Sequence, residues 1–104
     1  MEQFHLIKRA MEIQKGGEKA ALATIIHTKG STPRKTGSRM IVFPCGKIEG
    51  TIGGGCGEAL VIENAFKVIQ SNLASQQQVD LTKGLFYEDG GICGGIMDVF
   101  IEPL

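Results

Sequence analysis

Residues 50–59 read GTIGGGCGEA, and this stretch decides the fold. A strand runs into Gly53, Gly54, Gly55, Cys56 and Gly57, and a helical pattern starts at Glu58. From Glu58 to about Leu73, the spacing of Val61, Ala65, Val68, Ile69 and Leu73 puts them on one inward face. The unit is strand, glycine loop, helix.

Upstream, Arg39 to Pro44 has strand character through Met40, Ile41, Val42 and Phe43, and Pro44-Cys45-Gly46-Lys47 makes a hairpin turn into a strand from Lys47 to Ile52. The two should be antiparallel neighbours. Ala20 to Thr28 reads as a strand buried on both sides, with Leu22 and Ile26 on one face and Ala23 and Ile25 on the other. It is followed by a loop of turn formers and cations, KGSTPRKTGS at 29–38. Residues 2–15 form an amphipathic helix, with Phe4, Ile7 and Met11 beside Leu6, Ala10 and Ile13, closed by Gly16-Gly17.

Downstream of the helix, Ser75 to Gln78 is polar, Val79 to Lys83 is a short strand, and Tyr87 to Gly95 is a second glycine-rich loop. IMDVFIEP at 96–103 alternates as a half-buried strand, with Ile96, Asp98 and Phe100 opposite Met97, Val99 and Ile101. The order α-β-β-β-α-β-β predicts an α/β (α+β) fold with one mixed sheet of about four to five strands and two main helices. The second helix should make a right-handed crossover.

With 104 residues, 42% of them hydrophobic, the chain can build one modest core and is expected to be a single domain. A net charge of zero gives no reason to expect nucleic acid or an anionic membrane as partner. Charge is nevertheless uneven. Lys19 to Lys47 holds six cationic residues and no carboxylate, whereas Glu49 to Leu104 holds eight carboxylates against Lys67 and Lys83. The chain begins Met-Glu-Gln-Phe-His, without a basic leader or a membrane-length apolar run, which predicts a cytoplasmic location. Three cysteines without export signals point to free thiols in a reducing compartment.

The glycine loop lets backbone approach a ligand, and the helix start offers N–H groups to an anion. It is not a Walker A loop, because Gly46-Lys47 is followed by Ile48, and the dinucleotide fingerprint fails because Glu58 takes the last glycine position. A tight strand-to-helix turn would need the same glycines. A helix terminus contributes at most about 2 kcal/mol to an anion, whereas micromolar affinity needs roughly 8 kcal/mol. Cations must supply more, and Arg34, Lys35 and Arg39 are available; an isolated basic run is otherwise an ordinary solvated turn. Cys56 and Cys93 lie among glycines, in GGGCGE and GGICGG, where a ligand could reach their thiols. Cys45, in the hairpin turn, looks incidental. Glu58 is a candidate acid, although a carboxylate at a helix start more often favours the dipole. His5 and His27 have no evident partners and are assigned to structure. No Cys/His spacing suits a zinc site, so no metal ligands are expected.

GSTPRKTGSRM at 30–40, GTIGGGCGEA at 50–59 and CGGIMDVFIEPL at 93–104, in that order, resemble the blocks of the XdhC/CoxI family of xanthine dehydrogenase accessory factors. The resemblance corresponds to the family's N-terminal domain, so residues 1–104 are expected to form that domain without the Rossmann-like second domain of longer members. It implies an accessory factor rather than an enzyme. Such a factor binds molybdenum cofactor (molybdopterin) as cargo, keeps it sulfurated and delivers it to a xanthine-dehydrogenase-type hydroxylase, with a cysteine desulfurase as a further partner. Carried onto this chain, the implied cofactor-binding positions are Arg34, Arg39, Gly53, Gly54, Gly55, Cys56, Cys93, Gly94 and Gly95, with Glu58 beside them. Gly57 stands where the family often has a larger apolar residue. Two other readings remain open, a small-ligand or nucleotide-binding regulatory module and a scaffold that only contacts the partner enzyme. Association with further copies of the chain is also open.

Overall fold

The computed structural model describes residues 3–82 and 94–104. Helix α1 (Gln3–Gly16) leads into strand β1 (Ala21–Lys29), then the hairpin of β2 (Arg39–Val42) and β3 (Ile48–Gly50). Helix α2 (Gly55–Ser71) connects to β4 (Ser75–Asp80), and β5 (Ile96–Pro103) closes the fold. The five strands form one sheet in the order β3-β2-β1-β5-β4.

The α+β class, the two helices and the strand count follow the sequence reading, but the sheet is not mixed. All four pairings are antiparallel. The reason lies in where β5 goes. It inserts beside β1 instead of adding to an edge, so α2 carries the chain from β3 at one edge to β4 at the other, and no parallel neighbours arise. The β2–β3 hairpin pairs as expected, with Met40 opposite Gly50 and Val42 opposite Ile48.

The sheet has two unequal faces. On one, Val61, Ala65 and Val68 of α2 pack with Ala21, Ala23 and Ile25 of β1 and Met97, Val99 and Ile101 of β5, all buried. Burying each large aliphatic side chain there contributes roughly 1.5–3 kcal/mol. On the other, Leu6, Ala10 and Ile13 of α1 pack with Ile41 and Phe43, but α1 reaches mainly β2 and β3. β1 is therefore not buried on both sides. Its second face carries the half-buried Leu22 and Thr24, and Ile26 is 43% exposed.

Three local readings change for physical reasons. α2 starts at Gly55, three residues before Glu58, since its first turn tolerates glycines. It ends at Asn72, whose left-handed backbone (φ 58) lets its N–H donate to the Val68 carbonyl at 2.8 Å. Leu73 lies beyond that cap and is 69% exposed. The strand expected at Val79 to Lys83 lies earlier, at Ser75–Asp80, and takes in the polar run, because an edge strand needs only one buried position in its ladder, and Val79 fills it. Asn64 on α2 donates to Gln77 Oε1 at 3.0 Å and Ser75 Oγ at 3.3 Å, which uses the inward polar positions.

A polar clasp fixes α1 to the hairpin. Arg9 Nε lies 3.2 and 3.3 Å from the two oxygens of Glu49, whose carboxylate raises the guanidinium's already high pKa. The Arg9 guanidinium also stands 5.7 Å from the Phe43 ring centroid, with Lys47 Nζ at 5.6 Å. At Gly50 the helix and the hairpin approach each other closely. Its φ is +81, and a Cβ there would lie 2.7 Å from the Arg39 carbonyl oxygen and 2.8 Å from Leu6 Cδ2. Gly50→Ala should therefore lower stability by about 2–4 kcal/mol, combining left-handed strain with overpacking. Urea titration checks this; a loss under 1 kcal/mol would show that Leu6 simply moves aside.

Candidate functional site

The three sequence blocks meet at one end of the sheet, where β1, β3 and β4 finish, β2 and β5 begin, and α2 starts. The close approaches are made by glycines. A Cβ on Gly30 would lie 2.9 Å from the Gly94 carbonyl oxygen, and one on Gly95 would lie 2.8 Å from the Lys29 carbonyl oxygen. A Cβ on Gly53 would collide with the Pro33 ring and lie 3.9 Å from Arg34 Cγ. The basic loop thus touches Gly94-Gly95 with its first residues and the glycine loop with Pro33 and Arg34. Leu81 N donates to the Gly95 carbonyl at 2.8 Å, tying the end of β4 to the same corner.

The glycine loop is braced from within. Glu58 Oε2 accepts from Thr51 Oγ1 at 2.8 Å, from Gly54 N at 3.0 Å and from Ile52 N at 3.3 Å. Thr51 Oγ1 in turn accepts from Gly53 N at 3.0 Å. Two side chains therefore satisfy the N–H groups of residues 52 to 54. The helix lacks a side-chain N-cap because its cap residue is Gly54; Glu58 reaches back to that residue's N–H, one position later than in a capping box. All three bonds fall on one carboxylate oxygen, Oε2, which occupies the concavity that successive N–H groups would offer an external anion. What remains open is the outer rim. A Cβ on Gly54 or Gly55 would meet nothing within 4 Å, and the first-turn N–H groups of α2 beyond Gly54 are the ones not taken by Glu58.

The expected residues are sorted as follows. Arg34 is exposed at the rim, beside Gly53, with its loop held by Thr32 Oγ1 donating to the Arg34 carbonyl at 2.8 Å. Gly53, Gly54 and Gly55 are exposed, as is Gly94, while Gly95 is buried. Cys56 is the second residue of α2. Cys93 lies outside the described residues. Arg39 does not join Arg34. It shares a sheet face with Ile41, lining the hollow beside α1, and its guanidinium donates to the Gly37 carbonyl at 3.1 Å. Cys45 is exposed in the hairpin turn.

His27, assigned to structure for want of a partner, has one. Its Nδ1 lies 3.5 Å from Asp98 Oδ2, and Gln78 Nε2 donates to the other oxygen at 3.4 Å. A bulge in β1 between Ile25 and His27 brings this about, because it shifts the register so that His27 faces Asp98. Alternation alone could not show it. Among the described residues no group of three His, Cys, Asp or Glu side chains could hold a metal ion, and no helix is long and apolar enough to cross a membrane.

Residues 13–80 match the model of the XdhC and CoxI family. The chain belongs to that family. It is 33% identical over 99 residues to the uncharacterized protein YqeB of Escherichia coli strain K12, covering 95% of this chain and 18% of that protein. It is also similar to the crystal structure of a xanthine dehydrogenase from Bacillus halodurans, with a TM-score of 0.80, 30% identity, 99% of this chain and 30% of that one. The chain thus spans less than a third of the length of either relative. The family match covers the basic loop and the glycine loop and stops at Asp80, where β4 ends.

Glu58→Ala should remove the brace, leaving the Ile52 and Gly54 N–H groups without a protein acceptor, and cost about 1–3 kcal/mol. The sharper readout is amide exchange. Ile52 and Gly54 should exchange at least tenfold faster (about 1.4 kcal/mol) in the variant while the β1–β5 amides keep their ranking. Unchanged rates at both positions would mean that the loop holds its shape without Glu58.

Proposed function

We propose that this chain binds molybdenum cofactor as cargo and delivers it to a xanthine-dehydrogenase-type molybdenum hydroxylase, with a cysteine desulfurase supplying the sulfur of the sulfurated form. The observation that carries this reading is the contact of Pro33 with Gly53, which lays Arg34 beside an open glycine rim at the start of α2. Membership of the XdhC and CoxI family supports it, as does the similarity to the Bacillus halodurans protein.

The chemistry fits in outline. The cofactor presents a phosphate, which suits a guanidinium and helix-start N–H groups. Its metal and dithiolene sulfurs are soft, which suits thiols, and Cys56 and Cys93 are the two cysteines set among glycines in the sequence. Glu58 acts in this reading as a brace rather than an acid, because its Oε2 is held by Thr51, Ile52 and Gly54 of the loop. Arg34 is the anion-binding side chain and Arg39 is left out, since it faces the other side of the sheet.

Metal and pterin analysis of protein purified from molybdate-supplemented cells is the direct test. Molybdenum and pterin should co-purify with the chain. Arg34→Ala should stay folded and bind the cofactor about 1.5–3 kcal/mol more weakly, the range for a hydrogen bond to a charged group. Added salt should weaken wild-type binding more than that of the variant, since the lost contact is the one being screened. Bound nucleotide without molybdenum would make the chain a regulatory module. Partner binding with neither ligand would make it a scaffold.

A further inference from the structure

Of the two outer strands of the sheet, one is protected and the other is not. β3 is three residues long, Ile48–Gly50, and its Glu49 is held by Arg9, with Lys47 Nζ 3.9 Å away. Short length and charge are the ordinary defences of a sheet edge. β4, at the opposite edge, has neither. It runs for six residues, SQQQVD at 75–80, without lysine, arginine, proline or a bulge, and its one charged residue, Asp80, stands at its end.

One hydrogen bond fixes which way the backbone of β4 faces. Leu81 N donates to the Gly95 carbonyl at 2.8 Å, one step beyond the Asp80–Ile96 pair. Bonded and non-bonded pairs alternate along an antiparallel ladder, so Val79, Gln77 and Ser75 turn their backbone groups to β5. Gln76 and Gln78 turn theirs outward, and among the described residues no strand or loop bonds to them. Helix α2 packs over β5 with β1 and β4 on either side, and α1 packs over β2 and β3. Beside the open edge, α2 leaves a hollow of about 240 Å³ lined by Leu60, Glu63, Asn64, Lys67 and Gln77. Its helical wall carries one acid and one base, so the flank brings no net charge to whatever lies alongside.

We infer that β4 pairs with β4 of a second copy of the chain, antiparallel, across a two-fold axis normal to the sheet at Gln77. An antiparallel partner must bring outward-turned residues opposite each other, where each pair exchanges both N–H···O bonds. This register does so with Gln76 of each copy opposite Gln78 of the other, and the two-fold makes the pair twice. The strand is its own complement. Glutamine meets glutamine at 76, 77 and 78, each side-chain amide both donates and accepts, and Asp80 falls beyond the paired stretch, so no like charges are opposed. The two α2 helices, each over its own β5, stand three strand spacings apart, roughly 14 Å. That exceeds the separation of about 8–10 Å at which helices pack closely, so they fit side by side with the two hollows between them. The end of β4 lies at the candidate site, so an antiparallel partner carries its own site at the opposite end and both stay open. The inference therefore does not depend on the cofactor reading.

Sedimentation equilibrium of the purified chain over the micromolar range tests it, with twice the chain mass expected. Gln78→Pro removes an outward N–H and none of the β4–β5 bonds, so it should sediment as a monomer with an unchanged far-UV spectrum. Two double variants test the register with the backbone intact. Gln76→Lys with Gln78→Lys sets lysine opposite lysine and should weaken association roughly tenfold or more, whereas Gln76→Glu with Gln78→Lys sets opposite charges together and should keep the dimer. Amide exchange locates the contact. The Gln76 and Gln78 amides should exchange roughly tenfold more slowly in the dimer than on dilution to monomer, while Gln77 and Val79, bonded to β5, are protected in both. Three results would overturn the inference. One is a wild-type monomer throughout the range, which would give the edge to a strand of another protein. The others are a dimer whose Gln76 and Gln78 amides exchange as in the monomer, and equal association of the two double variants.

Discussion

The antiparallel ladder between β1 and β5 is the contact on which the other elements depend. It runs from Ala21 opposite Pro103 to Lys29 opposite Ile96 and joins the first of the described strands to the last. β2 and β3 attach to its one side through β1 and β4 to its other through β5, so β4 has an edge to pair with only once β5 is in place. Its inner face supplies Ala21, Ala23, Ile25, Met97, Val99 and Ile101 to the main core. At its far end the ladder stops where Gly30 and Gly95 let the basic loop cross the start of β5 at a distance no side chain could share. The candidate site is the terminus of this ladder.

The local elements were legible in the residues and the pairing was not. Alternation in 96–103 and the hairpin signal at Pro44-Cys45-Gly46-Lys47 depend on neighbours in sequence, and both read correctly. That β5 inserts beside β1 is a choice among sheet orders, and nothing local to IMDVFIEP specifies it. The Gln-rich strand β4 was hidden because its apolar content is one residue, Val79, and its partners Asn64 and Asp98 are distant in sequence. Burial on both faces of β1 failed for a related reason. An apolar run shows that a face can be covered, whereas covering it depends on how far α1 extends over the sheet.

At the site, the sequence showed which segments matter and not how their side chains divide the work. Arg34 and Arg39 looked equivalent in the basic loop, yet five residues and the start of β2 separate a rim residue from one on the opposite face. Glu58 looked like a candidate acid and proves to be a strut. The signal for that was present in the pairing of Thr51 with a carboxylate one turn into the helix. It resembled a capping box, but with Thr51 and Glu58 farther apart in sequence, across the glycine loop. The result is a loop whose inner concavity is filled by its own carboxylate and whose outer rim is bare, so an anionic ligand would have to approach from the side on which Arg34 stands.

The interior position of β5 also has a consequence for the order of events on the ribosome. This interior strand, which must lie between β1 and β4, is the last of the described elements to be made. At roughly 5–20 residues per second, the 67 residues from Lys29 to Ile96 take about 3–13 s to synthesise. During that interval β1 can pair with β2, but its other edge, the one intended for β5, has no partner. An unpaired strand edge flanked by Ala23, Ile25 and Ile26 is a template for pairing with another nascent chain. The nascent chain is thus exposed to misassembly for seconds, and α2, waiting for half of the surface it will cover, cannot fully shield it. Conditions that slow elongation between α2 and β5 would lengthen that exposure without changing the folded protein at all.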